Sequence, residues 1–195
     1  MNTNLLSEAE AEQLQQLIAE SKHIVICAHK SPDGDAMGAS LAWKSYLNQI
    51  GKTDVIVCMP DAFPDFLQWL PGANTVLRYD KNPERVQEAF DKADLVCCMD
   101  FNQYMRVDAM QPTLVGCKAK RILIDHHLEP ETNNDITVSR PNMSSTSEMV
   151  FYIISQLGGY EDMSKVCAQC IYCGMMTDTG GFTYNSTRPE IYFVI

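Results

Sequence analysis

The chain has 195 residues, 46% of them hydrophobic, enough for one well-packed domain with little left for a second. Its formal charge of −10 excludes a surface built to grip long duplex nucleic acid through many phosphate contacts, while leaving room for a small anion held through metal. No run of about 18 apolar residues reads as a membrane span, and the start MNTNLLSEAE lacks the basic and apolar regions of a signal peptide. Cysteines such as Cys27, Cys97 and Cys98 fall inside apolar runs, so a cytoplasmic protein with reduced thiols is expected.

In chain order, Leu5 to Glu20 carries leucine and isoleucine at helical spacing and predicts an amphipathic helix. HIVICAH (His23 to His29), TDVIVCM (Thr53 to Met59), DLVCCMD (Asp94 to Asp100) and RILID (Arg121 to Asp125) are short, nearly unbroken apolar runs rich in β-branched residues. Such runs suit strands buried on both faces of a parallel sheet. Helices are predicted between them at Ala36 to Gln49, closed by Gly51, at Asn82 to Lys92 with Pro83 in the first turn, and across Tyr104 to Lys118. Met59 to Ala73 reads as a loop with a short helix, and two later helices are expected at Thr146 to Leu157 and Asp162 to Met176. This alternation makes the fold class α/β, a doubly wound, mainly parallel sheet flanked by helices. In TRPEIYFVI, Pro189 stands where a helix begins, so residues 188–195 are expected to start a linker helix leaving a unit that spans 1–187.

Ligands of open parallel sheets sit beyond the carboxyl ends of the strands, and three predicted strands end there in acid or imidazole. The first runs into HKSPDGDAMG (His29 to Gly38), the third into Asp100, and the fourth into Asp125, His126 and His127. Asp178, in MMTDTGGF, is expected to follow a helix in a Thr/Gly turn. Each has a plain structural role open to it: Asp33 and Gly34 suit a turn, Asp35 a helix cap, Asp100 a cap or turn, and the two histidines an exposed loop. Together, four carboxylates and at least two imidazoles at one edge would repel or stay underpaired unless a cation neutralised them. Oxygen and imidazole donors without thiolate favour Mn²⁺ or a similar first-row ion over a cysteine-type zinc site. Six ligands exceed the needs of one metal with an open position, whereas two metals about 3.5–4 Å apart, sharing a carboxylate, would use them.

HKSPDGDAMGASLA, DLVCCMDFN, ILIDHH and GMMTDTGGFTYN, in this order across residues 23–187, resemble the four motifs of the DHH phosphoesterases. The likeness is nearest the branch of nanoRNases, pAp phosphatases and cyclic-dinucleotide phosphodiesterases, and further from RecJ nucleases and family II pyrophosphatases. It implies two Mn²⁺ per chain, with Mg²⁺ or another divalent ion as a substitute. His29, Asp33 and Asp100 would hold one, and Asp35, Asp100, His126 and Asp178 the other, with Asp100 as the bridge. It implies hydrolysis of short oligoribonucleotides, dinucleotides (cyclic ones included) or pAp by metal-activated hydroxide, with His127 facing the phosphate or its leaving group and Asp125 orienting a ligating histidine. In NMSSTSEMV, Ser145 and Glu148 have capping-box spacing, and Ser145 and Thr146 serve either as caps or as phosphate contacts. The partners expected are a short oligonucleotide or dinucleotide and a second copy of the chain in a homodimer, with no membrane.

That branch carries a C-terminal domain whose glycine-rich, histidine-containing loop grips substrate, and neither Gly158-Gly159 nor Gly180-Gly181 is followed by such a histidine. A manganese-dependent inorganic pyrophosphatase and a noncatalytic metal- or nucleotide-binding module are the alternative functions. Cys167, Cys170 and Cys173 have the spacing of part of an iron–sulfur run, but the same spacing lines one helix face for packing. His23, Trp43, Trp69 and the methionines read as structural.

Overall fold

The apolar runs form one six-stranded sheet in the order β3-β2-β1-β4-β5-β6 in a computed structural model that describes residues 4–195. The first three residues of the expected 1–187 unit lie outside that range. The strands are β1 (His23–Cys27), β2 (Asp54–Met59), β3 (Leu77–Arg78), β4 (Leu95–Met99), β5 (Lys120–Asp125) and β6 (Ile136–Ser139), and every pairing is parallel. The helices are α1 (Glu8–Glu20), α2 (Gly34–Gln49), α3 (Pro83–Lys92), α4 (Gln111–Gly116), α5 (Thr146–Gln156), α6 (Lys165–Asp178) and α7 (Ile191–Val194).

Strand alternation divides the core between the two faces of the sheet. Ile24, Ile26, Val57, Met99 and Ile124 face α1, α2, α5 and α6, whereas Val25, Cys27, Cys58, Cys98 and Leu123 face α3 and α4. α2 follows β1 on one face and α3 precedes β4 on the other, as one hand of crossover requires when the chain turns outward in both directions from β1 and β4. That reversal is the switch point at which such sheets bind ligands.

Several expected boundaries shift for local reasons. α1 starts late because Ser7 caps it, exchanging bonds with Glu10 in a capping box. The single helix expected over Tyr104 to Lys118 is a 3₁₀ stretch, Tyr104–Met110, followed by α4, broken where Asp108 takes φ 49°. α6 begins at its cap Ser164 and runs on to Asp178, so Asp178 closes the helix and does not sit in the turn after it. Asp33, and not Asp35, caps α2, accepting the amides of Asp35 and Ala36. All eight cysteines are free. No helix among the described residues is long and apolar enough to cross a membrane.

α2, α5 and α6 meet closely beside the switch point. A Cβ on Gly38 would lie 2.6 Å from the Cys170 carbonyl oxygen, and one on Gly174 would lie 2.7 Å from Ser147 Cβ and 2.8 Å from Asp35 Oδ1. Only glycine admits this approach, which brings Asp35 near the start of α2 to within reach of Asp178 at the end of α6.

Candidate metal centre

Each donor stands just past a strand or at a helix end that points to the same edge. His29 lies two residues beyond β1, Asp100 directly follows β4 and His126 directly follows β5; Asp33 and Asp35 open α2 and Asp178 ends α6. Asp100 adopts φ 61°, a left-handed conformation that costs an ordinary residue about 1–2 kcal/mol and is held by its amide bond to the Ile124 carbonyl. That conformation turns its carboxylate into the middle of the group.

The six expected ligands form two clusters sharing Asp100. In one, His29 Nε2 lies 3.4 Å from Asp100 Oδ2 and 3.8 Å from Asp33 Oδ1. In the other, His126 Nε2 lies 3.6 Å from Asp100 Oδ1, 3.5 Å from Asp178 Oδ2 and 3.9 Å from Asp35 Oδ2. The donor atoms of His29, Asp33 and Asp100 all lie within 4.8 Å of one another, as do those of Asp35, His126 and Asp178. One carboxylate oxygen of Asp100 therefore faces each cluster.

The tautomers suit metal binding. His29 Nδ1 hydrogen-bonds the Lys30 carbonyl at 2.7 Å and His126 Nδ1 the Met143 carbonyl at 3.3 Å, which makes Nδ1–H the donor, so that each imidazole in its neutral form presents the Nε2 lone pair to the acids. Among the described residues, the ion pairs of Asp33, Asp35, Asp100 and Asp178 are with histidines alone. Burial, then the charges of Asp100 and Asp178, push the Asp35 carboxyl well above its usual range. Burial also raises Asp178 to about 6, against the pull of His126. Burial opposes charge on His29, but the hydrogen bond and charge of Asp100 prevail and hold it at about 9. Asp100, buried yet bonded to His29 and facing His126 and His127, falls to about 2. Acids that keep protons and an imidazole that takes one are the compensation expected where cationic charge is wanting, so the donor set fits divalent cations.

His127 is arranged the other way round. Its Nδ1 lies 2.6 Å from Asp125 Oδ1, and its amide donates to Asp125 Oδ2 at 3.0 Å. Asp125 is fully buried, whereas the His127 side chain is 40% exposed. This pairing raises the His127 pKa and leaves Nε2 free of the carboxylate. Asp125 thus orients His127, not one of the six clustered donors.

Ser145 and Thr146 lie beneath the acids and are fully buried. Ser145 caps α5 by accepting the Glu148 amide, but Glu148 turns its carboxylate to Ser144 in place of closing a capping box. Thr146 donates its amide to Asp35 Oδ2 at 2.6 Å and its hydroxyl to Asp100 Oδ1 at 2.9 Å, and the Ser147 amide donates to Asp35 Oδ1 at 2.8 Å. Sequence reasoning missed this role, because a main-chain amide carries no residue signature. The C-x-x-C-x-x-C run lies buried along α6, where burial lifts the Cys170 thiol to about 12, and among the described residues neither the two clusters nor the further grouping of Asp100, His126 and His127 contains a cysteine.

Comparison with known proteins gives the same geometry a family. Residues 23–175 match the model of the DHH family, N-terminal domain. The chain is 30% identical over 171 residues to the bifunctional oligoribonuclease and PAP phosphatase NrnA of Thermus thermophilus, covering 86% of this chain and 47% of that protein. It is 24% identical to the cyclic-di-AMP phosphodiesterase GdpP of Bacillus subtilis, covering 93% of this chain and 28% of that one. The crystal structure of an exopolyphosphatase-related protein from Bacteroides fragilis superposes with a TM-score of 0.94 at 46% identity, over 96% of this chain and 55% of that one. RecJ from Thermus thermophilus, solved with Mn²⁺, shares the fold at a TM-score of 0.53 and 16% identity, over 87% of this chain and 23% of that one. The chain spans about half the length of the first curated relatives it matches. By the family match over most of its length, this chain belongs to the DHH family.

Proposed function

We propose that the chain carries the two-metal centre of a phosphoesterase that hydrolyses short oligoribonucleotides, dinucleotides, cyclic ones among them, or pAp. The observation that carries this reading is Asp100, whose Oδ2 faces His29 and whose Oδ1 faces His126 at 3.4 and 3.6 Å. His29, Asp33 and Asp100 would hold one divalent cation, and Asp35, Asp100, His126 and Asp178 the second. Two Mn²⁺ match the mixed imidazole and carboxylate donors, and RecJ, which shares the fold, was solved in complex with Mn²⁺. When bound, they supply Lewis-acid charge at the phosphate and lower the pKa of a water nucleophile.

The chain's own residues supply the rest. His127, held by Asp125 with its Nε2 free, donates a hydrogen bond to a phosphoryl oxygen or a proton to the leaving oxygen. The hydrogen bond to Asp125 raises its pKa, which shifts it toward the donor form. The formal charge of −10 suits a small phosphate ester brought to a metal better than a long polyanion. NrnA and GdpP are named for such nucleotide substrates, which favours them over pyrophosphate. We read residues 1–187 as the catalytic unit and assign substrate choice to a domain beyond residue 195, as the length of the relatives suggests.

The test is a Mn²⁺ titration with bound metal counted per chain, followed by parallel assays on a dinucleotide, pAp and pyrophosphate. Two metals with dinucleotide or pAp cleavage are expected. Pyrophosphate cleavage alone would transfer the chain to the other enzyme class, and an absence of bound metal would overturn the reading.

A further inference from the structure

We propose that Arg188 is a positioning residue for the metal centre, clamping the turn before α5 from which Asp35, Asp100 and His126 are all aimed. The inference rests on reading the site as a two-metal centre. Residues 142–147, the turn and the start of α5, supply the side-chain hydrogen bonds that aim Asp35 and His126 and one of those that aim Asp100. The Met143 carbonyl accepts from His126 Nδ1, the Thr146 and Ser147 amides donate to the two oxygens of Asp35, and the Thr146 hydroxyl donates to Asp100. Met143 and Ser144 lie in the turn itself, and Thr146 and Ser147 open α5, so the aim of all these groups depends on how the turn and the helix start are held.

Arg188, one residue past the 1–187 unit and so extending it, holds the turn and the helix start together. Its Nη2 donates to Glu148 Oε1 at 3.0 Å, and its Nη1 reaches the Asn142 carbonyl at 3.1 Å and Met143 Sδ at 2.9 Å. Glu148, fully buried, passes the constraint on, for its Oε2 accepts both the amide and the hydroxyl of Ser144 at 2.8 Å. Without the guanidinium, Glu148 would be a buried carboxylate with no cation against it, which forces rearrangement. Asn185 adds a second hold, donating its side-chain amide to the Ser144 carbonyl while in a left-handed conformation at φ 49°. The segment that carries Asn185 and Arg188 leaves directly from Asp178, so the fourth donor of the second cluster starts the strap that fixes the other three. The first cluster shares only Asp100 with that turn: His29 is fixed by the Lys30 carbonyl and Asp33 by its capping bonds at the start of α2.

This asymmetry makes the role testable with Arg188→Ala and Arg188→Lys, measuring Mn²⁺ binding by calorimetry and electron paramagnetic resonance. Exchange of the Thr146 and Ser147 amides is followed in the metal-free chains. In Arg188→Ala one Mn²⁺ is expected to bind about 10–100-fold more weakly while the other, which shares only Asp100 with the turn, weakens far less, so that the spectrum of a coupled pair gives way to that of a single ion. The two amides should exchange faster, and Arg188→Lys, which restores charge against Glu148, should recover part of both effects. If both sites weaken equally along with a fall in melting temperature, Arg188 is merely structural. Unchanged affinities and amide protection overturn the proposal outright. A wild-type chain that takes up no Mn²⁺ overturns the two-metal reading and this role with it, whereas wild-type binding that survives Arg188→Ala overturns this role alone.

Discussion

Gly174→Ala puts the close meeting of α2, α5 and α6 to a quantitative test. The added methyl would stand 2.7 Å from Ser147 Cβ and 2.8 Å from Asp35 Oδ1, with Ser147 Oγ nearer still. Ordinary contact begins about 1 Å further out, and neither neighbour can easily give way, because the Thr146 and Ser147 amides hold both oxygens of Asp35. In an open helix interior the exchange would stabilise by about 1 kcal/mol through propensity. Here overpacking costs about 1–3 kcal/mol and at least offsets that gain, for a net loss of up to about 2 kcal/mol. At this chain length that lowers the melting temperature by up to about 8 °C. Because the methyl presses on Asp35, Mn²⁺ affinity should fall as well. Gly116, where an added Cβ meets nothing within 4 Å, is the control, and its alanine variant should melt at or above the wild-type temperature. Thermal unfolding by circular dichroism and a Mn²⁺ titration provide both readouts. A Gly174→Ala chain that melts higher than wild type, as Gly116→Ala should, would refute the close approach.

Asp100→Ala removes the one carboxylate common to both clusters and should abolish both bound metals together with activity; unchanged metal content would show that the bridge is misassigned. His127→Ala should keep both metals and slow turnover by about 10²–10⁴-fold, and a loss of metal would instead make His127 a ligand. In the metal-free chain, His29 keeps its proton to about pH 9 and Asp178 to about pH 6, and both must lose it to bind a cation. Mn²⁺ affinity should therefore climb between pH 6 and 9. The raised His29 pKa stabilises the metal-free fold fully below its ordinary value of about 6.5 and ceases to do so as pH rises through about 9, so the melting-temperature gain from Mn²⁺ should widen over the same window. A gain that narrows would contradict the assignment. Cys170→Ser should leave metal content unchanged, and a loss of iron with visible absorbance would revive an iron–sulfur site.

The parts of the fold legible in the sequence are those with a single pattern to obey. β1, β2, β4 and β5 lie inside the sheet, so they read as unbroken apolar runs. The two edge strands have no such pattern. β3 is two half-buried residues paired to β2 alone, and β6 alternates buried and half-buried positions over four residues, too briefly to register as a period. The break in the Tyr104 to Lys118 stretch rests on one backbone conformation, at Asp108, that no neighbouring glycine announced. α6 outran its expected end because Thr177, taken for a turn residue, returns its hydroxyl to the Cys173 and Gly174 carbonyls and stays helical.

For the site, legibility depends on whether a contact needs a particular side chain. A metal ligand must be His, Asp or one of a few other types, so six donors at strand and helix ends could be picked out one by one, and the structure gathers all six. What aims them needs only a polar atom in the right place: the Lys30 and Met143 carbonyls for the imidazoles, the Thr146 and Ser147 amides for Asp35. Such atoms occur in every residue and leave no mark. The glycines are an intermediate case. Gly34 and Gly38 stand one helical turn apart, a spacing that exposes helix backbone to a neighbour, but a turn after Asp33 explained Gly34 equally well. The ambiguity disappears once α6 is in place, because a Cβ at Gly34 would stand 2.7 Å from Thr177 Cβ, one residue before Asp178. The same glycines that loosen the start of α2 therefore set how far Asp33 and Asp35 lie from Asp178, and the site's spacing is decided by helix packing as much as by its ligands.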